Sequence, residues 1–147
     1  MQKILLPIDG SENSMRAGEY AISMVDLNGA DIIVLYVIDT SYLDALPQQD
    51  LRDKMSEELR KEGEIAVEEF KSKLEESQCQ GHCKNVNLIT KIKWGKPADV
   101  ILKTIDEVGV DQVTMGKSGK QGIEKLILGS TADRVVRGSK VSVNVIS

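Results

Sequence analysis

The chain is poor in aromatic, cysteine and histidine side chains, and each shortage closes off a class of chemistry. Aromatics make up 3% of the residues, with one Trp and one Phe, too few to sandwich a flavin ring. Two cysteines, Cys79 and Cys83, make no disulfide framework and agree with a reducing compartment. A single histidine, His82, leaves little from which to build phosphoryl-transfer machinery. A long apolar run is also missing: the stretch ending at Ile8 is broken by Pro7 and stopped by Asp9, too short for a signal segment or a membrane span. The expectation is a cytoplasmic protein with no membrane partner. Nor does one sign of charge dominate. Nineteen basic and 23 acidic side chains give a net charge of −4, and no basic block is interleaved with aromatics, so nucleic acid is not an expected ligand.

What is present is a chain of 147 residues with 41% hydrophobic content, enough for one ordinary globular domain spanning 1–147. Residues 4–8 and 32–38 are apolar runs rich in branched side chains, the mark of strands buried on both faces of a parallel sheet. Between them Ala17, Tyr20, Ala21, Met24 and Val25 recur at helical spacing, after a cap at Ser14 and before Asn28-Gly29. From 50 to 77 the sequence is charge-dense, yet Leu51, Met55, Leu59, Ala66, Phe70 and Leu74 return to one face, predicting a long helix with a bend at Gly63. Residues 86–92 alternate as a more exposed strand. Pro97 then opens a helix through Val108 that Gly109 stops. A strand over 110–115, a helix over 130–136 and a last strand over 141–146 complete the alternation. The expected fold is α/β, a doubly wound, five-stranded, mainly parallel sheet with helices on both faces, Rossmann-like.

The most telling motif follows the strand at 110–115. Gly116, Gly119, Gly129 and Ser130 form the pattern G-x2-G-x9-G-S, and Ser130-Thr131 opens a helix. Glycines at such an exit let backbone N–H groups approach a phosphate chain, and the helix start favours an anion. Two better-known phosphate loops fail on single residues. A Walker A sequence ending at Gly116-Lys117-Ser118 requires glycine where Asp111 stands, and the turn after the first strand, Asp9-Gly10-Ser11-Glu12-Asn13-Ser14, is not a dinucleotide fingerprint.

This pattern, with the opening strand that ends Pro7-Ile8-Asp9-Gly10-Ser11 and the second strand that ends Val37-Ile38-Asp39, resembles the ATP-binding branch of the universal stress protein family, in order and over the whole chain. The resemblance implies an adenine nucleotide alpha hydrolase-like fold and a site at the carboxyl ends of three strands. Pro7 and Asp9 would lie against the adenosine, with Asp9 near the ribose, and the Val37 backbone would read the adenine edge. Gly116, Gly119, Gly129, Ser130 and Thr131 would hold the phosphates, and Ile8 and Met115 complete the expected nucleotide-binding set. By their own chemistry Lys117 and Lys120 can supply charge to a triphosphate and Ser118 a hydroxyl. ATP is the implied cofactor, with Mg2+ arriving on the phosphates rather than in a protein-built cage. A homodimer through the last strand, 141–146, and a further client protein are the implied partners. The chain departs from the family pattern at Lys117-Ser118, which moves the cation by one position, and at Ser142 and Asn144 in the last strand.

Bottom-up, several roles stay open. Asp9 is as good a turn cap as a ligand in its Asp-Gly-Ser setting, and ordinary turn chemistry explains Gly116 or Gly119 singly. The leading function is a nucleotide-dependent sensor or switch in a stress response. The alternatives are a slow Mg-dependent ATPase and a nucleotide-free dimeric scaffold. A receiver module lacks its acidic pair, and an adenylate-transferring enzyme lacks its Ser-Gly-Gly-x-Asp-Ser loop. Cys79, His82 and Cys83 are zinc-type ligands in one loop, but a structural zinc needs four and the chain has no second cluster. They read as a polar linker carrying two incidental thiols, with a metal shared between subunits as the other option.

Overall fold

The computed structural model describes residues 2–25, 29–118 and 128–147. The order is β1 (Gln2–Ile8), α1 (Glu12–Val25), β2 (Ala30–Asp39), α2 (Thr40–Asp44), α3 (Gln49–Cys79), β3 (Val86–Gly95), α4 (Pro97–Val108), β4 (Gln112–Gly116), α5 (Ser130–Gly138) and β5 (Ser142–Ile146). The strands form one five-stranded sheet in the order β3-β2-β1-β4-β5, and every neighbouring pair is parallel. The chain works outward from β1 to β3 on one side and from β4 to β5 on the other. Strand order therefore reverses between β1 and β4, the place where open α/β sheets collect ligands.

Side-chain alternation divides the core into two halves. Ile4, Leu6 and Ile8 of β1, with Ile32, Val34, Tyr36 and Ile38 of β2, meet α1 and α3. Leu5, Ile33 and Leu35 point the other way, against Ile101 and Ile105 of α4 and Ala132 and Val135 of α5. Strands buried on both faces are what the unbroken apolar runs require. Strand β3, which only β2 pairs, is the exposed edge that its alternation indicates.

Several elements differ from the sequence expectation, each for a physical reason. Helix α1 begins at Glu12 because Ser11, not Ser14, caps it: Ser14 N–H donates to Ser11 Oγ at 3.2 Å. Ser14 instead lies buried inside the first turn. Helix α3 runs on without interruption through Gly63, where the bend was expected, and a contact explains the glycine. A Cβ there would stand 2.7 Å from the Tyr36 ring, so the missing side chain seats helix against sheet. Leu51 keeps the helical spacing yet is 46% exposed. At 1.5 Å per residue α3 is about 46 Å long against roughly 33 Å for a ten-residue strand, so its first turns outrun the sheet. Helix α2 was not expected. Its cap is Asp39, whose Oδ1 accepts from Ser41 N–H at 2.9 Å. Cys83 is no incidental linker thiol either: it is buried in the core on the α3 side, at φ 52°, with its Sγ 3.5 Å from the Ile22 carbonyl.

Candidate functional site

Three chain segments and one helix start surround a cavity of about 160 Å3 at the carboxyl edge of the sheet. Strand β1 contributes Pro7, Ile8 and Asp9, β2 contributes Leu35 and Val37, and the end of β4 contributes Met115, Gly116, Lys117 and Ser118. Gly129, Ser130, Thr131 and Ala132 close it from the start of α5. Eleven of the residues that the motifs singled out therefore share one cavity: Pro7, Ile8, Asp9, Val37, Met115, Gly116, Lys117, Ser118, Gly129, Ser130 and Thr131. Gly119 and Lys120 lie outside the described residues.

Five further lining residues escaped the sequence reading: Ser14, Leu35, Pro97, Ile101 and Ala132. A signal existed for some of them. Leu35 is two residues from Val37 and shares its face of β2, and Pro97 and Ile101 are one helical turn apart. Together with Pro7 and Val37 they make up the apolar part of a lining whose polar part includes Lys117, Ser130 and Thr131. That mixture suits a ligand joining a flat apolar ring to an anion.

Asp9 acts as a turn former. Its Oδ1 accepts from Ser11 N–H at 2.9 Å, and its own N–H points at Ser14 Oγ at 3.4 Å. Ser14 Oγ in turn donates to the Ser11 carbonyl at 3.0 Å. Asp9 also lines the cavity, and the bond to Ser11 uses one of its two carboxylate oxygens, so the turn-cap and ligand readings are compatible.

The glycines divide by function. A Cβ on Gly116 would lie 2.8–2.9 Å from the backbone of Asn13 and Ser14. Its bareness thus serves a close approach between the end of β4 and the first turn of α1. Gly129 N–H donates to the Lys117 carbonyl at 2.8 Å, and Lys117 N–H donates to the Ile146 carbonyl at 2.7 Å. The Gly129 amide is therefore engaged within the protein. As N-cap of α5, however, Gly129 has no side chain to offer the helix start, and no side-chain cap is made there. Ser130 and Thr131, which line the cavity, stand in the first turn of α5, where amides have no partner within the helix and the dipole adds positive potential.

Among the described residues no group of three His, Cys, Asp or Glu side chains is placed to hold a metal ion. Described lining residues with side-chain oxygens are Asp9, Ser14, Ser118, Ser130 and Thr131, a set with one carboxylate, suited to a hard cation that arrives already bound to phosphate. Among the described residues no helix is long and apolar enough to cross a membrane.

The model of the universal stress protein family matches residues 1–147. A universal stress protein of Methanocaldococcus jannaschii is 32% identical over 145 residues, which cover 99% of this chain and 81% of that protein. The solved structure of universal stress protein UspA from Lactobacillus plantarum matches with a TM-score of 0.83 at 26% identity, over 99% of this chain and 97% of that one. Two more distant structures share the fold. One is a universal stress protein in complex with cAMP, with TM-score 0.72, 22% identity and coverage of 99% and 97%. The other is a family member from Arabidopsis thaliana with AMP bound, with TM-score 0.67, 19% identity and coverage of 99% and 91%. With its five parallel strands and the match along its whole length, this chain belongs to the universal stress protein family.

Proposed function

We propose that this chain binds an adenine nucleotide, ATP accompanied by Mg2+, in the cavity at the β1/β4 switch point, and works as a nucleotide-dependent sensor or switch whose occupancy a client protein reads. The observation that carries this reading is the shared cavity. Residues from β1, β2 and β4 meet there, beneath a helix start whose cap is a glycine. In this reading the adenine lies between Pro7, Val37 and Ile101, with the Val37 backbone reading its edge. Asp9 approaches the ribose, and the amides and hydroxyls of Ser130 and Thr131 receive the phosphates, with Lys117 supplying charge. The two fold relatives that hold cAMP and AMP are support of the same kind, adenine nucleotides on this architecture.

The same reading includes a homodimer through 141–146. Strand β5 is an edge of the sheet, paired on one side by β4, and an open edge is a template for a second strand. Asn144, out of place among valines, directs its amide back to Gln112 Oε1 at 2.8 Å and Thr114 Oγ1 at 3.3 Å, so it is satisfied within the subunit.

Calorimetric titration of nucleotide-stripped protein with Mg-ATP tests the reading. Micromolar binding, about −8 kcal/mol, is expected, and it should fall sharply in Ser130→Pro, whose ring removes an amide at the phosphate end. Absence of binding in the wild type would sink it in favour of the dimeric scaffold. Phosphate release in proportion to protein, lost in Asp9→Ala with binding retained, would favour the ATPase.

A further inference from the structure

We propose that Asn13 and Arg16, neither of which lines the cavity, are positioning residues that fix its phosphate end by tying the 117–118 turn to the end of β5. The inference rests on the adenine-nucleotide reading. The first tie is direct: Asn13 Nδ2 donates to Ser118 Oγ at 2.6 Å and to the Ser118 carbonyl at 3.3 Å. A side-chain amide donates this way only if its orientation is held, and Arg16 holds it. The Arg16 Nη2 donates to Asn13 Oδ1, which leaves the amide nitrogen facing Ser118. The same guanidinium sends Nε to the backbone oxygen of Ser147 at 2.9 Å, and its Nη1 is 3.8 Å from Glu12.

The second tie runs through the backbone. Lys117 N–H donates to Ile146 O at 2.7 Å, so Lys117 and Arg16 grip consecutive residues at the end of β5. Bare Gly116 is what lets the first turn of α1 come close enough for Asn13 to reach across, since a Cβ there would meet Asn13 itself. Ser118 and Lys117 line the cavity, and Lys117 also anchors Gly129 at the cap of α5. A planar guanidinium presents its donors in a fixed fork and so sets two acceptors relative to one another, whereas an ammonium on its flexible stem has three rotatable donors and sets them far less strictly. The adenosine end, built from Pro7, Leu35 and Val37, takes no part in the relay.

The test is a ligand series on Asn13→Ala, Arg16→Met and Arg16→Lys, titrated with adenosine and with Mg-ATP. Losing one positioning hydrogen bond, worth about 1 kcal/mol, should weaken Mg-ATP roughly fivefold in each variant and leave adenosine within twofold of wild type. Equal losses for adenosine and ATP, or full ATP affinity in Arg16→Lys, would overturn the relay in favour of a general packing or charge effect. Amide exchange at Lys117 in ligand-free protein is the independent arm. Asn13→Ala and Arg16→Met should speed it severalfold, and unchanged exchange would refute the relay whether or not wild type binds nucleotide. A wild type that binds neither ligand but shows the exchange effect would instead overturn the nucleotide reading alone.

Discussion

Replacing Gly116 by alanine separates two reasons for a glycine at this position. If the residue is bare only to let a phosphate approach, Gly116→Ala leaves the ligand-free protein as stable as before and costs affinity alone. The structure argues for a steric cost in the folded chain. The added methyl would meet the Asn13 carbonyl carbon at 2.8 Å, the Asn13 Cβ at 2.9 Å and the Ser14 amide at 2.9 Å, and two of these three are backbone atoms that cannot rotate away. Gly116 is not among the residues at positive φ, so the penalty is a clash rather than backbone strain. Overpacking of this kind costs about 1–3 kcal/mol. For a chain of this size about 2 kcal/mol lowers the melting temperature by roughly 4–8 °C. With a urea slope near 2 kcal/mol per M, the unfolding midpoint should move by about 1 M. Urea unfolding followed by far-UV circular dichroism, without nucleotide, reads this directly. An unchanged midpoint would refute the packing argument and return Gly116 to the phosphates.

Three other predictions follow from the same contacts. Gly63→Ala should destabilise by about 1–2 kcal/mol despite the better helix propensity of alanine, because its methyl meets the Tyr36 ring at 2.7 Å; adding Tyr36→Leu should recover part of the loss, as a double-mutant cycle on urea midpoints would show. Asn144→Val removes a donor to Thr114, which is fully buried, and should cost about 1 kcal/mol in thermal unfolding. The hydrogen bond from Lys93, followed by that lysine's charge, holds the Glu107 carboxyl below its ordinary value of 4.5. A carboxyl lowered in the folded state stabilises above its unfolded pKa and loses that contribution as pH falls through the folded one. The stability gap between wild type and Lys93→Met should therefore narrow as pH falls below 4.5, leaving the part owed to the hydrogen bond from Lys93 Nζ to Thr104 Oγ1 at 3.0 Å; a gap that does not change with acid would show that the pair does not act through Glu107.

The parts of the fold that repeat a period were legible from sequence. The unbroken runs in β1 and β2 announce strands covered on both faces, and α4 carries its own start and stop at Pro97 and Gly109. The parts set by one contact between distant segments were not. Nothing beside Gly63 says that a tyrosine 27 positions earlier fills the space its side chain would take, and a glycine in a helix reads as a weak point instead. The same limit applies to the site. Its strand ends and glycines carry a local pattern, while Ile101 and Ala132 look like ordinary core until α4 and α5 are laid over the sheet. Asn13 and Arg16 gave no motif at all, since the contacts that matter, to Ser118 and Ser147, span more than a hundred residues.

The reversal of strand order between β1 and β4 has a consequence for folding as well as for ligand capture. The cavity walls come from segments scattered between Pro7 and Ala132, so no short contiguous fragment of the chain carries the whole site. β1 meets β4 only after more than a hundred intervening residues have been threaded through β2 and β3. Loop closure on that scale is slow relative to local helix formation. A ligand in this cavity therefore recognises the assembled sheet and not any local segment of it. At a hundred times its dissociation constant it would add about 2.7 kcal/mol to the stability of the whole domain at once. Occupancy would report that the outlying strands have closed around the β1/β4 pairing.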